Sequence, residues 1–161
     1  MNPSKRKLDE AQARDPKRVR AAALRLQARR EHSVAELTGK LLERGYASEA
    51  VAEVVASLKG ERLLSDVRFV DEFVAARVRR GSGPLKIREE LRGRGVDPGF
   101  VDETFKRRRG WVAAAEAARI KRFGAGRPGD IRERARQVRF LQQRGFSLED
   151  IRKALKGCLD D

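Results

Sequence analysis

The sequence predicts an all-α fold: tandem three-helix repeats, three modules in all, forming an elongated array open to curvature. Three observations carry that expectation. The first is a period, in which Leu41, Arg44 and Gly45 recur 50 residues on as Leu91, Arg94 and Gly95, and again as Leu141, Arg144 and Gly145. Six residues past each glycine stands Val51, Val101 or Ile151, and ten past it Val55, Phe105 or Leu155. A period of this length with a recurring apolar code marks a helical repeat array. The second is composition: alanine, leucine, arginine and glutamate fill long stretches, and no alternating β-branched run is long enough for a strand. The third is spacing, because the apolar residues recur at i, i+3, i+4 and i+7 between turn signals.

Residues 1–16 are polar, charged and without an apolar stripe, so they read as a disordered basic tail. The first repeat occupies 17–60. Val19, Ala22, Ala23 and Leu26 form its first stripe. Ser33-Val34-Ala35-Glu36 reads as a capping box, the hydroxyl accepting from the Glu36 amide while the carboxylate reaches back. Val34, Leu37 and Leu41 line the next helix, which Gly45 stops. Ser48 or Ala47 opens a third, with Val51, Val54, Val55 and Leu58 on one face.

The second repeat, 61–109, follows the same plan. Ser65 or Asp66 caps a helix carrying Val70, Phe73, Val74 and Val78. Gly81-Ser82-Gly83-Pro84 breaks the chain and places Pro84 at a first helical position. Ile87 and Leu91 lead to Gly95, and Asp97-Pro98 opens a helix with Val101 and Phe105. The third repeat, 110–161, begins at Trp111 with Ala114, Ala115, Ala118 and Phe123. The loop Gly124–Gly129 is the most flexible break by composition. Asp130 caps a helix bearing Ile131, Ala135, Val138 and Leu141, and Ser147 opens the last one with Leu148, Ile151 and Leu155. Each repeated glycine follows the last turn of a middle helix, where a left-handed residue closes the helix without a Cβ clash. Tyr46, Val96 and Phe146 are placed to cover those ends.

The formal net charge is +14, from 38 cations and 24 acids, which favours a polyanionic or acidic partner. Of the cations, 28 are arginine. The excess is uneven: residues 1–30 carry +7, residues 31–58 carry −3 and residues 110–144 carry +6. The run Ser4-Lys5-Arg6-Lys7 suits a nuclear signal or a nucleic-acid arm, and more often such a run is a solvated tail.

Chemistry is scarce. One histidine and one cysteine cannot build a zinc site, and no cofactor motif appears, so neither metal nor cofactor is expected. His32 reads as a surface residue at a helix start. Gly124–Gly129 lacks the Gly-Lys-Ser/Thr ending of a phosphate-binding loop, and no nucleophile elbow accompanies His32. The chain therefore does not read as an enzyme. Cys158 has no partner for an internal disulfide, and no apolar run reaches the roughly 18 residues of a membrane span, so a soluble cytoplasmic monomer is expected. The cationic clusters are the candidate interface: Arg132, Arg136 and Arg139 at i, i+4, i+7; Arg88 with Arg92; Lys86; and Arg77, Arg79 and Arg80 at a helix end. Cations at helix C-termini also complement the dipole.

The stretch Arg62-Leu63-Leu64-Ser65-Asp66-Val67-Arg68-Phe69, with Phe73 following, then Gly81-Ser82-Gly83-Pro84 and Glu90-Leu91-Arg92-Gly93-Arg94-Gly95, resembles the RecX family of bacterial regulatory proteins. Arg139-Phe140-Leu141-Gln142-Gln143-Arg144-Gly145-Phe146-Ser147 is similar to that family's closing signature. The likeness covers about residues 18–157, with Ser65 and Val70 departing from the usual asparagine and alanine, and leaves out the basic tail. It implies tandem three-helix modules and a partner, the RecA recombinase filament on single-stranded DNA. It further implies modulation, typically inhibition, of RecA filament growth, ATP hydrolysis, strand exchange and co-protease action in the SOS response. The cations named above would then meet RecA or the DNA it holds. A nucleic-acid-binding repeat protein acting without RecA, or a plain interaction scaffold, are the alternatives.

Overall fold

The computed structural model describes residues 8–156, and among them it contains ten α-helices and no strand, as the all-α expectation requires. The helices are α1 (Glu10–Arg14), α2 (Pro16–Gln27), α3 (Val34–Glu43), α4 (Ser48–Gly60), α5 (Asp66–Arg79), α6 (Pro84–Gly93), α7 (Pro98–Arg107), α8 (Trp111–Phe123), α9 (Ile131–Gln143) and α10 (Leu148–Lys156). Lys5, Arg6, Lys7 and Cys158, to which the sequence assigns roles, lie outside the described residues. The chain divides into two compact units. The first runs to Phe69 and takes in Arg94–Val96; the second comprises Val70–Gly93 and the residues from Asp97 onward.

In the first unit α2, α3 and α4 pack on one another around Val19, Leu26, Leu37, Leu41, Val51 and Leu58. The expected tail is not structureless between Asp9 and Pro16. Asp9 and Gln12 form a capping box that starts α1, and the Ala13 carbonyl accepts from the Ala47 amide at 2.9 Å. A helix of five residues has no room for an apolar stripe, so periodicity misses it.

His32 is also not at the surface: it is buried, at 2% exposure. Lys40 Nζ lies 3.1 Å from His32 Nε2 and can only donate, so that nitrogen accepts. The proton then sits on Nδ1, which donates to the Arg30 carbonyl at 2.9 Å. Burial pushes the imidazole below its ordinary value, and the charges of Arg30 and Lys40 push the same way. A depressed histidine stabilises the fold fully above its unfolded pKa of 6.5 and loses that contribution as pH falls through the lower native value. Melting of the wild type is therefore expected to drop between about pH 7.5 and pH 5 more steeply than that of a His32→Gln variant. Equal slopes for the two proteins would count against a neutral buried imidazole.

In the second unit α8, α9 and α10 pack together around Ala115, Leu141, Phe146, Ile151 and Leu155. Val70, Val74, Ile87, Leu91, Val101 and Phe105 are buried as well. The caps are Asp97, Asp130 and Ser147, accepting from the amides of Gly99, Glu133 and Asp150 at 2.7, 2.7 and 3.1 Å. Two residues assigned to apolar faces depart from them. Ile131 is 86% exposed and Leu148 52% exposed, each standing at the first position of its helix, ahead of the turns that pack. The Gly124–Gly129 loop is tied down where the buried Arg119 guanidinium donates to the Gly126 carbonyl at 2.9 Å and where the Gly129 amide donates to the Glu133 carboxylate at 2.9 Å.

Candidate partner-binding surface

The three repeated glycines all adopt positive φ, +89° at Gly45, +69° at Gly95 and +88° at Gly145. Around Gly45 the amide donates to Leu42 and the Tyr46 amide to Leu41; around Gly145 the same bonds run to Gln142 and Leu141. This is the Schellman closure, in which the two amides after a helix satisfy carbonyls that have no donor within it.

The glycines do a second thing. In the second unit the Gly83 amide donates to the Arg144 carbonyl at 2.6 Å and the Leu85 amide to the Gly145 carbonyl at 2.9 Å. The start of α6, whose first amides have no acceptor within the helix, thus meets the end of α9, whose last carbonyls have no donor. A Cβ on Gly83 would overlap the Gly145 carbonyl carbon and the Phe146 nitrogen. A Cβ on Gly145 would lie 2.5 Å from Lys86 Cβ. The first unit has a looser version: a Cβ on Gly95 would lie 3.3 Å from Ala35 Cβ, while Gly45 has open space. Each later cap therefore joins the opening of the preceding repeat's middle helix.

Side chains reinforce the joint in the first unit. The Asp66 carboxylate accepts from the Val34 amide at 2.8 Å, while Ser65 caps α5 by accepting from Arg68 at 3.3 Å. Arg68 donates to Glu31 at 2.8 Å and to the Arg62 carbonyl at 2.9 Å. Ser33 accepts from the Glu36 amide at 3.0 Å, which is half of the expected capping box. The Glu36 carboxylate does not reach back, because Arg30 and Arg94 both hold it. Burial raises the Glu36 pKa, and the two guanidiniums outweigh burial and leave it below the usual carboxylate range. Phe69, Leu91, Leu141 and Phe146 are buried, Pro84 begins α6, and Phe73 is half-buried.

The candidate cations separate into two groups. Arg77 and Arg88 are half-buried and committed within the second unit: Arg77 pairs with Glu90 and lies over Phe73, and Arg88 pairs with Asp102 and lies over Phe105. Arg79, Arg80, Lys86, Arg92, Arg132, Arg136 and Arg139 are exposed and meet no carboxylate among the described residues. On α9, Arg132, Arg136 and Arg139 form one outward line, with Arg136 5.2 Å above the Phe123 ring. Lys121, Arg122 and Arg144, which sequence reading did not single out as interface cations, line two adjoining clefts with Arg79, Arg80 and Arg108, the last from the basic run Lys106–Arg109 that closes the second repeat. Only the uneven charge of residues 110–144 hinted at the first three.

Among the described residues no group of histidine, cysteine and carboxylate side chains could hold a metal, and no helix is long and apolar enough to cross a membrane.

Family models describe three consecutive stretches of the chain: the first RecX three-helix domain matches residues 20–58, the second 65–104 and the third 112–155. The chain is 48% identical to the regulatory protein RecX of Halorhodospira halophila over 144 residues, covering 89% of each. It is 43% identical to the regulatory protein RecX of Pseudomonas entomophila over 143 residues, 88% of this chain and 92% of that one. The fold matches the crystal structure of RecX from Lactobacillus salivarius with a TM-score of 0.75 at 17% identity, over 88% of this chain and 95% of that one.

Proposed function

Because the chain belongs to the RecX family of regulatory proteins, we propose that it binds the RecA recombinase filament and inhibits its ATPase, strand-exchange and co-protease activities. It acts by contact and not by catalysis, as a cytoplasmic monomer in DNA repair and the SOS response. The observation that carries this reading is the α9 line: three arginines at helical spacing, exposed and facing no carboxylate among the described residues. A stabilising surface ion pair would have used such cations at home, as Arg77 and Arg88 are used. Left free, they complement an acidic surface or the phosphates of filament DNA, and they steer encounter as well as hold it. Arg79, Arg80, Lys86 and Arg92, also exposed and without a carboxylate partner among the described residues, are the further contacts of this reading. Repeated helix triads contacting neighbouring protomers would hold them against the movements that ATP turnover needs.

Charge reversal of Arg132, Arg136 and Arg139 together is expected to weaken inhibition of RecA ATPase on single-stranded DNA by at least about tenfold, a change of about 1.4 kcal/mol. Helicity by circular dichroism should be unchanged, because all three are exposed and none carries an ion pair among the described residues. Undiminished inhibition by that variant removes the α9 line from the interface, and no inhibition by the wild-type chain removes RecA as the target.

A further inference from the structure

We propose that the two adjoining clefts of the second unit form a docking groove for an acidic peptide segment with an apolar side chain at its centre. The clefts enclose about 190 and 360 Å³ and share Gly81, Ala118 and Lys121 in their walls. Their rim is cationic throughout: Arg79, Arg80, Arg108, Lys121, Arg122 and Arg144, with no carboxylate among the lining residues. All six stand at the ends of helices α5, α7, α8 and α9. Four helix C-termini contribute about half a negative charge each, which the six cations exceed. The groove is therefore a positive site and more than a set of dipole-neutralising side chains.

The floor decides what kind of anion fits. In the larger cleft it is made of methyl-bearing side chains, Ala75, Val78, Ala114 and Ala117, and offers no hydrogen-bond donor. A sugar–phosphate strand would bring polar groups to that surface and leave them unsatisfied. Nucleic acid could still anchor by stacking its bases, but the aromatic rings nearby are already covered. Arg144 lies 5.3 Å over Phe140, Arg122 and Arg136 lie over Phe123, and Arg108 lies 5.4 Å over Trp111. A peptide with a leucine- or phenylalanine-sized side chain between carboxylates satisfies both parts: the side chain covers the alanine floor and the carboxylates meet the rim. The groove deepens the RecA reading, and rests on it only for which protein supplies the segment.

The test uses the full chain with no recombinase present, so that its failure is separate from failure of the RecA reading. The probe is a fluorescein-labelled peptide of two leucines flanked on each side by two glutamates, followed by fluorescence anisotropy. Replacing both leucines by serine at unchanged charge should weaken binding at least about tenfold, since two buried leucine side chains are lost. Ala117→Phe, which fills the floor from an exposed position, and the pair Arg79→Glu with Lys121→Glu should each abolish binding while circular dichroism stays unchanged. Equal binding of the serine peptide, indifference to Ala117→Phe, or preference for a (dT)12 strand over the leucine peptide would each overturn the proposal.

Discussion

Gly145→Ala is expected to destabilise the protein by about 2–5 kcal/mol, the sum of a left-handed penalty of about 1–2 and an overpacking cost of about 1–3. Both contributions are present at this residue. Its φ is +88°, and an added Cβ would lie 2.5 Å from both the Lys86 Cβ and the Lys86 amide nitrogen. Backbone cannot swing aside as a side-chain tip can, and moving Lys86 would lengthen the bonds from Gly83 and Leu85 to the end of α9. The Gly45→Ala variant is the control. Its φ is +89° but it has open space, so only the backbone penalty of about 1–2 kcal/mol applies. Gly95→Ala should fall between them, because Ala35 Cβ sits 3.3 Å away. Denaturant unfolding of the three variants measures the order, and equal losses at Gly45 and Gly145 would dispose of the joint.

That gradient marks where sequence reading stops. Leucine, arginine and glycine repeated every 50 residues show the cap, because a Schellman closure is local and its residues lie within six positions of one another. What the cap rests on is not local. Gly83 reads as part of a chain break, yet its lack of a Cβ admits the Gly145–Phe146 peptide 62 residues away. Glu36 sits where a capping box wants it, and the box fails at its carboxylate because Arg30 and, from the next repeat, Arg94 both hold it. The same limit governs the cations. Arg77, Arg88 and Arg132 look alike in sequence, and only the fold reveals that Glu90 and Asp102 occupy the first two. The groove between α5, α8 and α9 was beyond reach for a further reason. Its rim is assembled from the ends of four helices, where arginine and lysine have an ordinary electrostatic explanation residue by residue. Helix stripes were legible because burial on one face imposes a period; Ile131 fell outside it because a first-turn residue can stand clear of the packed face.

Phe146→Ala is expected to cost about 3–5 kcal/mol, the range for emptying a buried phenylalanine site. The ring is 2% exposed and belongs to the cluster with Leu141, Ile151 and Leu155. It follows the left-handed glycine, and its amide bonds the Leu141 carbonyl at 3.1 Å, so the side chain is delivered onto the helix turn it closes. Truncation would remove that cover and leave a cavity among Leu141, Ile151 and Leu155, on a backbone that Gly83 already holds at the Phe146 nitrogen. Tyr46 occupies the equivalent place in the first repeat but is only half-buried, so Tyr46→Ala should lose distinctly less. Both helices end in the same pair of bonds, so the difference in burial alone sets this order. Equal losses at the two positions would show that burial does not set the cost of the residue that follows the left-handed glycine.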